Sequence, residues 1–465
     1  MTDPLFLILD QGGSQSRAVL VDALGTVIDS RYQPVHTRRP SDFQVEQDPW
    51  QLIRSLQQAA NTLLKSLTAA ERTAIQACAI VCQRSSLLAW DQVAQRPLSP
   101  VLSWQDQRGA AFMPDSAAPL EQIQRISGLF PSAHHGASKC RWLLTHDRKI
   151  QRAAADNRLL WMPLATFLVH ALCHITAVDP ASAQRTLLWN RHRNTWDPSL
   201  ARLFRLEPCQ LPRIQPSLSD WGHASLGPLS LPCQLLGGDQ SLAPFSEGHL
   251  APGEVRINLG TGGFLCTSLP APLASTRLLK SVAYSDEREL YTWLEGTING
   301  AGAALTWARE QGARDDQQED PGLFLNAVGG LGSPDWRSGL HSRWLADNGL
   351  RSLRAVEESI LFLLQRNLAA MSHCGISPRT LSLGGGLSLR PQLAQKLADL
   401  TQLPVTLAGD HEATARGAAW VLAGRPQSWS SGGKTLHPTP NNALHRRYRR
   451  WDEAMQAWLS PSAAV

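Results

Sequence analysis

At 465 residues the chain is too long for one ordinary hydrophobic core, so two substantial domains are expected. Hydrophobic residues at 43% and charged residues at 18% are the balance of a globular protein, not of a disordered or fibrous one. The net charge of +5 is small for this length and suits an anionic ligand, but no dense Lys/Arg stripe with interleaved aromatics points to nucleic acid.

Residues 5–32 read as a three-stranded meander. Leu5-Phe6-Leu7-Ile8-Leu9 runs into Asp10-Gln11-Gly12-Gly13-Ser14, Ala18-Val19-Leu20-Val21 returns, and Ala23-Leu24-Gly25 makes the second turn. The opening apolar run is cut off by Asp10, without a basic start or a cleavage site, so it does not read as a signal peptide. Asp48 then caps a helix that has Pro49 at its first position and Leu52, Ile53, Leu56, Ala60, Leu63 and Leu67 as its apolar stripe. Ile75 to Val81 is a strand of the buried type, ending at Cys82-Gln83-Arg84-Ser85-Ser86. Leu87 to Trp90 goes back out, and Val101-Leu102-Ser103-Trp104 leads to Gln105-Asp106-Gln107-Arg108. Strands and helices in this order are expected of an α/β domain, taken as residues 1–234.

A second domain, residues 235–465, starts at Leu235-Leu236-Gly237-Gly238-Asp239-Gln240. Val255-Arg256-Ile257-Asn258-Leu259 enters Gly260-Thr261-Gly262-Gly263 and leaves through Phe264-Leu265-Cys266. Helices are predicted from Gly300 to Glu310 and from Glu357 to Met371. A β-turn-α-β unit follows: Leu381 to Leu383, Gly384-Gly385-Gly386, a helix from Pro391 to Leu400, and Val405 to Leu407. Asp410 is expected to cap Ala413 to Leu422, whose Ala415, Gly417, Ala418 and Ala419 allow close packing on a sheet. Residues 425–440 read as a linker to a terminal amphipathic helix. Its basic start, His445-Arg446-Arg447-Tyr448-Arg449-Arg450, is expected to be solvated, and its apolar face is Trp451, Ala454, Met455 and Trp458.

Strand, glycine-rich turn, strand thus occurs once in each half. Glycine lets backbone N–H groups approach an anion, and Ser or Thr adds hydroxyl donors. Either turn alone only reverses the chain, but the pair suggests the phosphates of a nucleotide clamped between two related lobes. The eight cysteines are scattered, and Cys78 and Cys82, four apart on one strand, lack the His pair of a zinc knuckle. They read as free thiols in a reducing cytosol. No run of about 18 apolar residues exists to span a membrane.

Taken in order, these landmarks resemble the FGGY family of carbohydrate kinases, most nearly its glycerol kinases. The segments that carry the resemblance are Asp10-Gln11-Gly12 with Ser14, Ser16 and Arg17; Val45-Glu46-Gln47-Asp48-Pro49; Gln83-Arg84; Trp104-Gln105-Asp106; Lys139 with Trp142; Ala183-Gln184-Arg185-Thr186; Gly238-Asp239-Gln240; Gly260-Thr261-Gly262; Glu295-Gly296; Gly330-Leu331-Gly332; Gly385-Gly386; and Gly417-Ala418-Ala419. The resemblance implies a two-lobed, actin-like ATPase (ribonuclease H-like) α/β fold. Each lobe would be a mixed sheet with flanking helices, with a cleft between them that closes on the acceptor. It implies ATP and Mg²⁺ acting on a small polyol or sugar, with no nucleic-acid or membrane partner, a cytoplasmic location and a homodimer allowed.

Phosphoryl transfer to an alcohol needs neutralised phosphates, in-line positioning and an acceptor for the hydroxyl proton. On the resemblance, Asp239 is the general base, and with Asp10 it holds Mg²⁺. From the residues alone Asp239 could equally cap the helix that starts near Ser241, and Asp10 could be a turn residue. Gly12, Ser14, Ser16, Arg17, Gly260, Thr261, Gly262, Gly302, Gly385 and Gly386 would bind the nucleotide. Gln83, Arg84, Trp104, Asp106, His134, Asp239, Gln240 and Phe264 would bind the acceptor. Glycerol kinases carry Glu where this chain has Ser85, Tyr at His134 and an acid at Gly384, and the family usually has Asp at Ala165, which points to a larger polyol or a ketopentose instead of glycerol. Two other readings stay open here: a family member that binds sugar and ATP as a sensor, and a non-kinase actin-like ATPase, which would have no need of Arg84, Trp104-Gln105-Asp106 or Asp239.

Overall fold

The computed structural model describes residues 4–227, 229–269, 276–315, 320–337, 339–345, 351–390, 392–409, 412–429 and 432–460. The meander forms as expected: β1 (Leu5–Gln11), β2 (Gln15–Asp22) and β3 (Val27–Pro34) pair antiparallel. Helix α1 (Pro49–Ser66) starts at Asp48, whose side chain accepts the Gln51 N–H, and it buries Leu52, Ile53, Leu56, Ala60 and Leu63. Strand β4 (Ile75–Cys82) lies parallel to β1, and β5 (Leu87–Asp91) leads the chain away into another six-stranded sheet.

The helices that follow include α2 (Gly136–His146), α3 (Leu164–Cys173) and the short α4 (Pro180–Gln184). The hairpin of β6 (His223–Leu226) and β7 (Leu229–Gly238) then brings β7 parallel to β4. The sheet order is β6-β7-β4-β1-β2-β3. Residues 235–238, expected to open the second domain, are therefore the end of a strand in the first sheet. A single turn, α5 (Asp239–Leu242), follows them.

The second sheet of the same style is built from β8 (Glu254–Leu259), β9 (Gly263–Ser268), β10 (Leu279–Ser285), β11 (Leu290–Ile298), β12 (Thr380–Gly384), β13 (Val405–Leu407) and β14 (Thr435–Leu436). Its order is β10-β11-β9-β8-β12-β13-β14. The β8–β9 hairpin has β12 parallel to β8, as the β1–β2 hairpin has β4 parallel to β1. Around it lie α6 (Gly302–Glu310), α7 (Leu353–His373) and α8 (Leu393–Thr401).

Helix α9 (Ala413–Leu422) has Glu412 at its capping position with no side-chain cap; Asp410 and Pro391, named above as helix starts, lie outside the described residues. The terminal helix α10 (Asn442–Leu459) buries Leu444, Trp451, Met455 and Trp458. Its basic start is not wholly solvated, because Arg447 is buried and donates to Glu358 of α7 at 2.7 and 2.9 Å.

Two compact units result, and they interleave along the chain. The first comprises 1–249, 280–292 and 412–430, and the second 250–279, 293–411 and 431–465. Each has its own core. In the first, β1, β4 and α1 contribute Leu7, Leu9, Ile80, Leu56 and Leu63. In the second, β8, α7 and α10 contribute Ile257, Leu361, Leu364 and Trp451. No described helix is long and apolar enough to cross a membrane.

Candidate active site

Three parallel strands of the first sheet end level with one another: Gln11 of β1 pairs with Cys82 of β4, and Cys82 with Gly238 of β7. Open α/β sheets bind ligands at the carboxyl ends of such strands. The register alone therefore gathers Asp10, Gln83, Arg84 and Asp239 at one edge.

Asp10 is almost wholly buried. Its Oδ2 accepts from Arg17 Nη2 at 2.5 Å, and its Oδ1 has no partner. Burial raises its pKa, opposed by the Arg17 charge. Asp239 opens α5, but Gly238 holds the capping position, and the Gln240 N–H donates to Asp239 Oδ1 at 2.6 Å. Burial first, and then the charge of Asp10, push the Asp239 carboxyl up to about 6, against the pull of Arg84. Asp239 thus senses both Asp10 and Arg84. Arg84 is packed so closely on Gly238 that a Cβ there would sit 2.6 Å from its Cγ.

Several expected phosphate ligands are used inside the protein instead. Ser16 is fully buried, its hydroxyl bonded to Gln11 Oε1 at 2.8 Å and to Ser55 Oγ at 2.7 Å, because its β2 position faces α1. The Arg17 guanidinium is taken by Asp10 and, at 3.2 Å, by Glu412. The Gly12 N–H donates to the Gln15 carbonyl at 3.0 Å and closes the turn, which leaves the exposed Ser14 at its tip.

Around the acceptor positions, Gln83 donates from Nε2 to Gln47 at 2.6 Å while its buried Oε1 has no partner. The Trp104 ring lies 6.4 Å from that of His134. His134 Nδ1 is 3.1 Å from the Trp104 carbonyl, which can only accept, so Nδ1 carries the proton and Nε2 is left as an acceptor. Burial, then Lys139, lowers the His134 pKa to about 4, so the ring is neutral.

Asp106 is not presented to a ligand: it is fully buried, and it accepts from the Val45 N–H at 2.7 Å and from Arg108 Nη2 at 2.7 Å and Nε at 2.9 Å. It braces the wall from behind. Lys139 of α2, until now only a landmark, is wholly buried and donates to the carbonyls of Ser85 at 3.1 Å and Ser103 at 2.7 Å. Its position among small residues, Gly136-Ala137-Ser138-Lys139-Cys140, was the available sign that this lysine lies inside.

In the second unit Gly260 and Thr261 are exposed at the tip of the β8–β9 turn, and Gly262 is buried behind them. Gly302 braces this turn, since its N–H donates to the Gly260 carbonyl at 2.9 Å and is thereby taken from any phosphate. Gly385, at φ 86°, comes so close to β8 that a Cβ would lie 2.4 Å from Asn258 Oδ1. Gly386 borders open space. Phe264 sits on β9 beside the turn, half-buried, whereas Gln83, Arg84, Trp104, His134, Asp239 and Gln240 all belong to the first unit.

Residues 5–226 match the N-terminal domain, and residues 255–424 the C-terminal domain, of the FGGY family of carbohydrate kinases. A glycerol kinase of Rhodospirillum centenum is 32% identical over 97% of this chain and 94% of its own length. The chain belongs to the FGGY family of carbohydrate kinases. It is thus a phosphotransferase that uses ATP and an alcohol acceptor. The fold agrees with solved kinases. The Plasmodium falciparum glycerol kinase with ADP superposes with a TM-score of 0.84 at 22% identity, covering 98% of each chain. A gluconate kinase from Lactobacillus acidophilus gives 0.83 at 19%, covering 99% of each. These matches establish the actin-like kinase fold, a mixed sheet with flanking helices in each unit.

Proposed function

We propose that this FGGY kinase phosphorylates a small polyol or sugar other than glycerol, with Asp239 as general base. The carrying observation is the raised carboxyl of Asp239, set at the strand ends beside Asp10 and Arg84. Asp239 takes the proton of the acceptor hydroxyl, the hydroxyl oxygen attacks the γ-phosphorus, and the bond to the bridging oxygen breaks as ADP leaves. Arg84, Trp104, His134 and Gln240 orient the acceptor, and a neutral His134 accepts from one of its hydroxyls. Thr261, Gly260, Ser14 and the Gly385-Gly386 segment support the nucleotide.

Among the described residues no three acids, histidines or cysteines form a metal cluster. The unpartnered Asp10 Oδ1 nevertheless suits Mg²⁺, which keeps much of its water shell and takes few carboxylates. With Asp239 it would hold the ion, which would neutralise phosphate charge when bound. All eight cysteines are free, and all but Cys209 are buried or half-buried, in keeping with a reducing, cytoplasmic compartment.

The relatives named above include glycerol kinases, but Ser85 and Ala165 give the pocket short side chains. The test is ADP release over glycerol and four- to six-carbon polyols, ketoses and sugar acids. Turnover of at least one with KM below that for glycerol is expected. Silence over the whole panel, with ATP still bound, overturns the reading.

A further inference from the structure

Asp10 and Arg17 face each other across the β1–β2 hairpin and are joined by one bond where two would fit. Arg17 Nη2 donates to Asp10 Oδ2, while Asp10 Oδ1 and Arg17 Nε are both buried and have no partner among the described residues. Nε and Nη2 form one edge of a guanidinium, and that edge matches the two oxygens of a carboxylate. Elsewhere the chain uses the match. Arg108 gives Nε and Nη2 to Asp106 at 2.9 and 2.7 Å, and Arg447 gives the same two groups to Glu358 at 2.7 and 2.9 Å. At Asp10 a complementary donor and acceptor thus stand beside a formed bond and do not meet. Leaving both unsatisfied costs stability, and a protein keeps such a cost where function needs the group.

The guanidinium is held from its other end. Arg17 Nη1 donates to Glu412 Oε2 at 3.2 Å. Glu412 stands at the start of α9, where the helix dipole favours a carboxylate, and its side chain is not spent on capping that helix. A second acid on Nη1 does not by itself forbid the two-pronged pair. Arg366 reaches Asp452 with Nη1 at 2.6 Å and still grips Asp335 with Nε and Nη2 at 3.2 and 2.8 Å. At Arg17 it is therefore the direction from which Glu412 pulls that turns the edge away from Asp10.

We propose that Glu412 is a positioning residue for the metal: by holding Nη1 it keeps Arg17 on one oxygen of Asp10, so that Oδ1 stays available to Mg²⁺. Without it Arg17 closes on both oxygens, and Oδ1 is lost to the ion. The inference rests on the reading of Asp10 above and adds a residue that acts only through Arg17.

Mn²⁺ stands in for Mg²⁺, and its binding to the intact protein with ADP is followed by electron paramagnetic resonance, which needs neither acceptor nor turnover. Glu412→Ala should weaken that binding about tenfold or more, and the Mg²⁺ concentration for half-maximal ADP release should rise by a similar factor. At saturating Mg²⁺ turnover and acceptor KM should return to within about twofold of wild type, which general damage to the fold would not allow. Once Arg17→Met has removed the guanidinium, adding Glu412→Ala should change Mn²⁺ binding less than about twofold. If Glu412→Ala does not fold, Glu412→Gln, which keeps the shape and drops the charge, should still weaken binding about threefold or more. Unchanged Mn²⁺ binding in the variant, the same loss with Arg17→Met already present, or a wild type that binds no Mn²⁺ overturns the inference. The kinase reading is judged separately, by whether any acceptor yields ADP.

Discussion

Asp239 must be ionised to accept a proton, and its raised pKa sets where that fails. With the carboxyl at about 6, kcat/KM should fall about tenfold per pH unit below that value, whereas an ordinary carboxylate would keep the activity to about pH 4. Asp239→Asn should lower turnover by a factor of about 10² or more and leave ATP binding, followed by calorimetry, nearly intact. An acidic limb near pH 4 in the wild-type profile would remove Asp239 from the base role. Gly238 gives a second probe. A methyl group there would lie 2.6 Å from Arg84 Cγ and 2.9 Å from Cδ, the stem and not the tip of the side chain. Gly238→Ala should therefore shift Arg84 and raise the acceptor KM about tenfold, with the affinity for ATP unchanged. Equal losses for both substrates would mean that the strand end, not Arg84, had moved.

At the scale of elements, α2 serves the site through Lys139, whose ammonium joins the turn after β4, at Ser85, to the segment before Trp104, at Ser103. Burial brings this lysine down to about 7 from 10.5, so between those values the unfolded chain binds more protons and stability rises with pH. Lys139→Met removes that dependence. The melting temperature of the wild type relative to the variant should climb from pH 7 to about 10, and the variant should show a raised acceptor KM with a smaller change in kcat. A difference independent of pH would mean the lysine is not buried as a titrating group.

Elements with local punctuation were legible in the sequence. Asp48-Pro49 marks the start of α1 by a cap and a preset φ, and Asp10 and Asp239 stand out at the ends of apolar runs, although their roles, like that of Arg84, came only with the family resemblance. What was hidden is long-range. Nothing local shows that Cys233 to Gly238 will lie parallel to β4. Ser16 meets Ser55 at a separation of 39 residues, Asp106 meets the Val45 N–H at 61 and Arg17 meets Glu412 at 395. The residue types suited ligand binding, but the fold supplied partners for them first.

For the whole molecule, the return of α9 to the first unit matters most. After a short return at residues 280–292, the chain rejoins the first unit once more between residues 412 and 430. Gly417 of α9 lies against the backbone after β7, where a Cβ would come within 1.9 Å of the Leu242 carbonyl oxygen. Trp420 stacks on Phe245 with ring centroids 5.0 Å apart, and Trp429 donates to the Ser246 carbonyl at 3.0 Å. These contacts make the first unit's core depend on a segment more than 160 residues further along. Gly417→Ala in the intact chain should destabilise by about 1–3 kcal/mol or more, since backbone on the other side cannot rotate away as a side chain would. A fragment of residues 1–249 should lack a cooperative thermal transition by circular dichroism, and supplying residues 412–429 on a flexible linker should restore one. A fragment that melted as sharply as the intact protein without that segment would show that β1, β4 and β7 bury their core unaided. The small residues of α9 would then have to be explained by something other than this close approach.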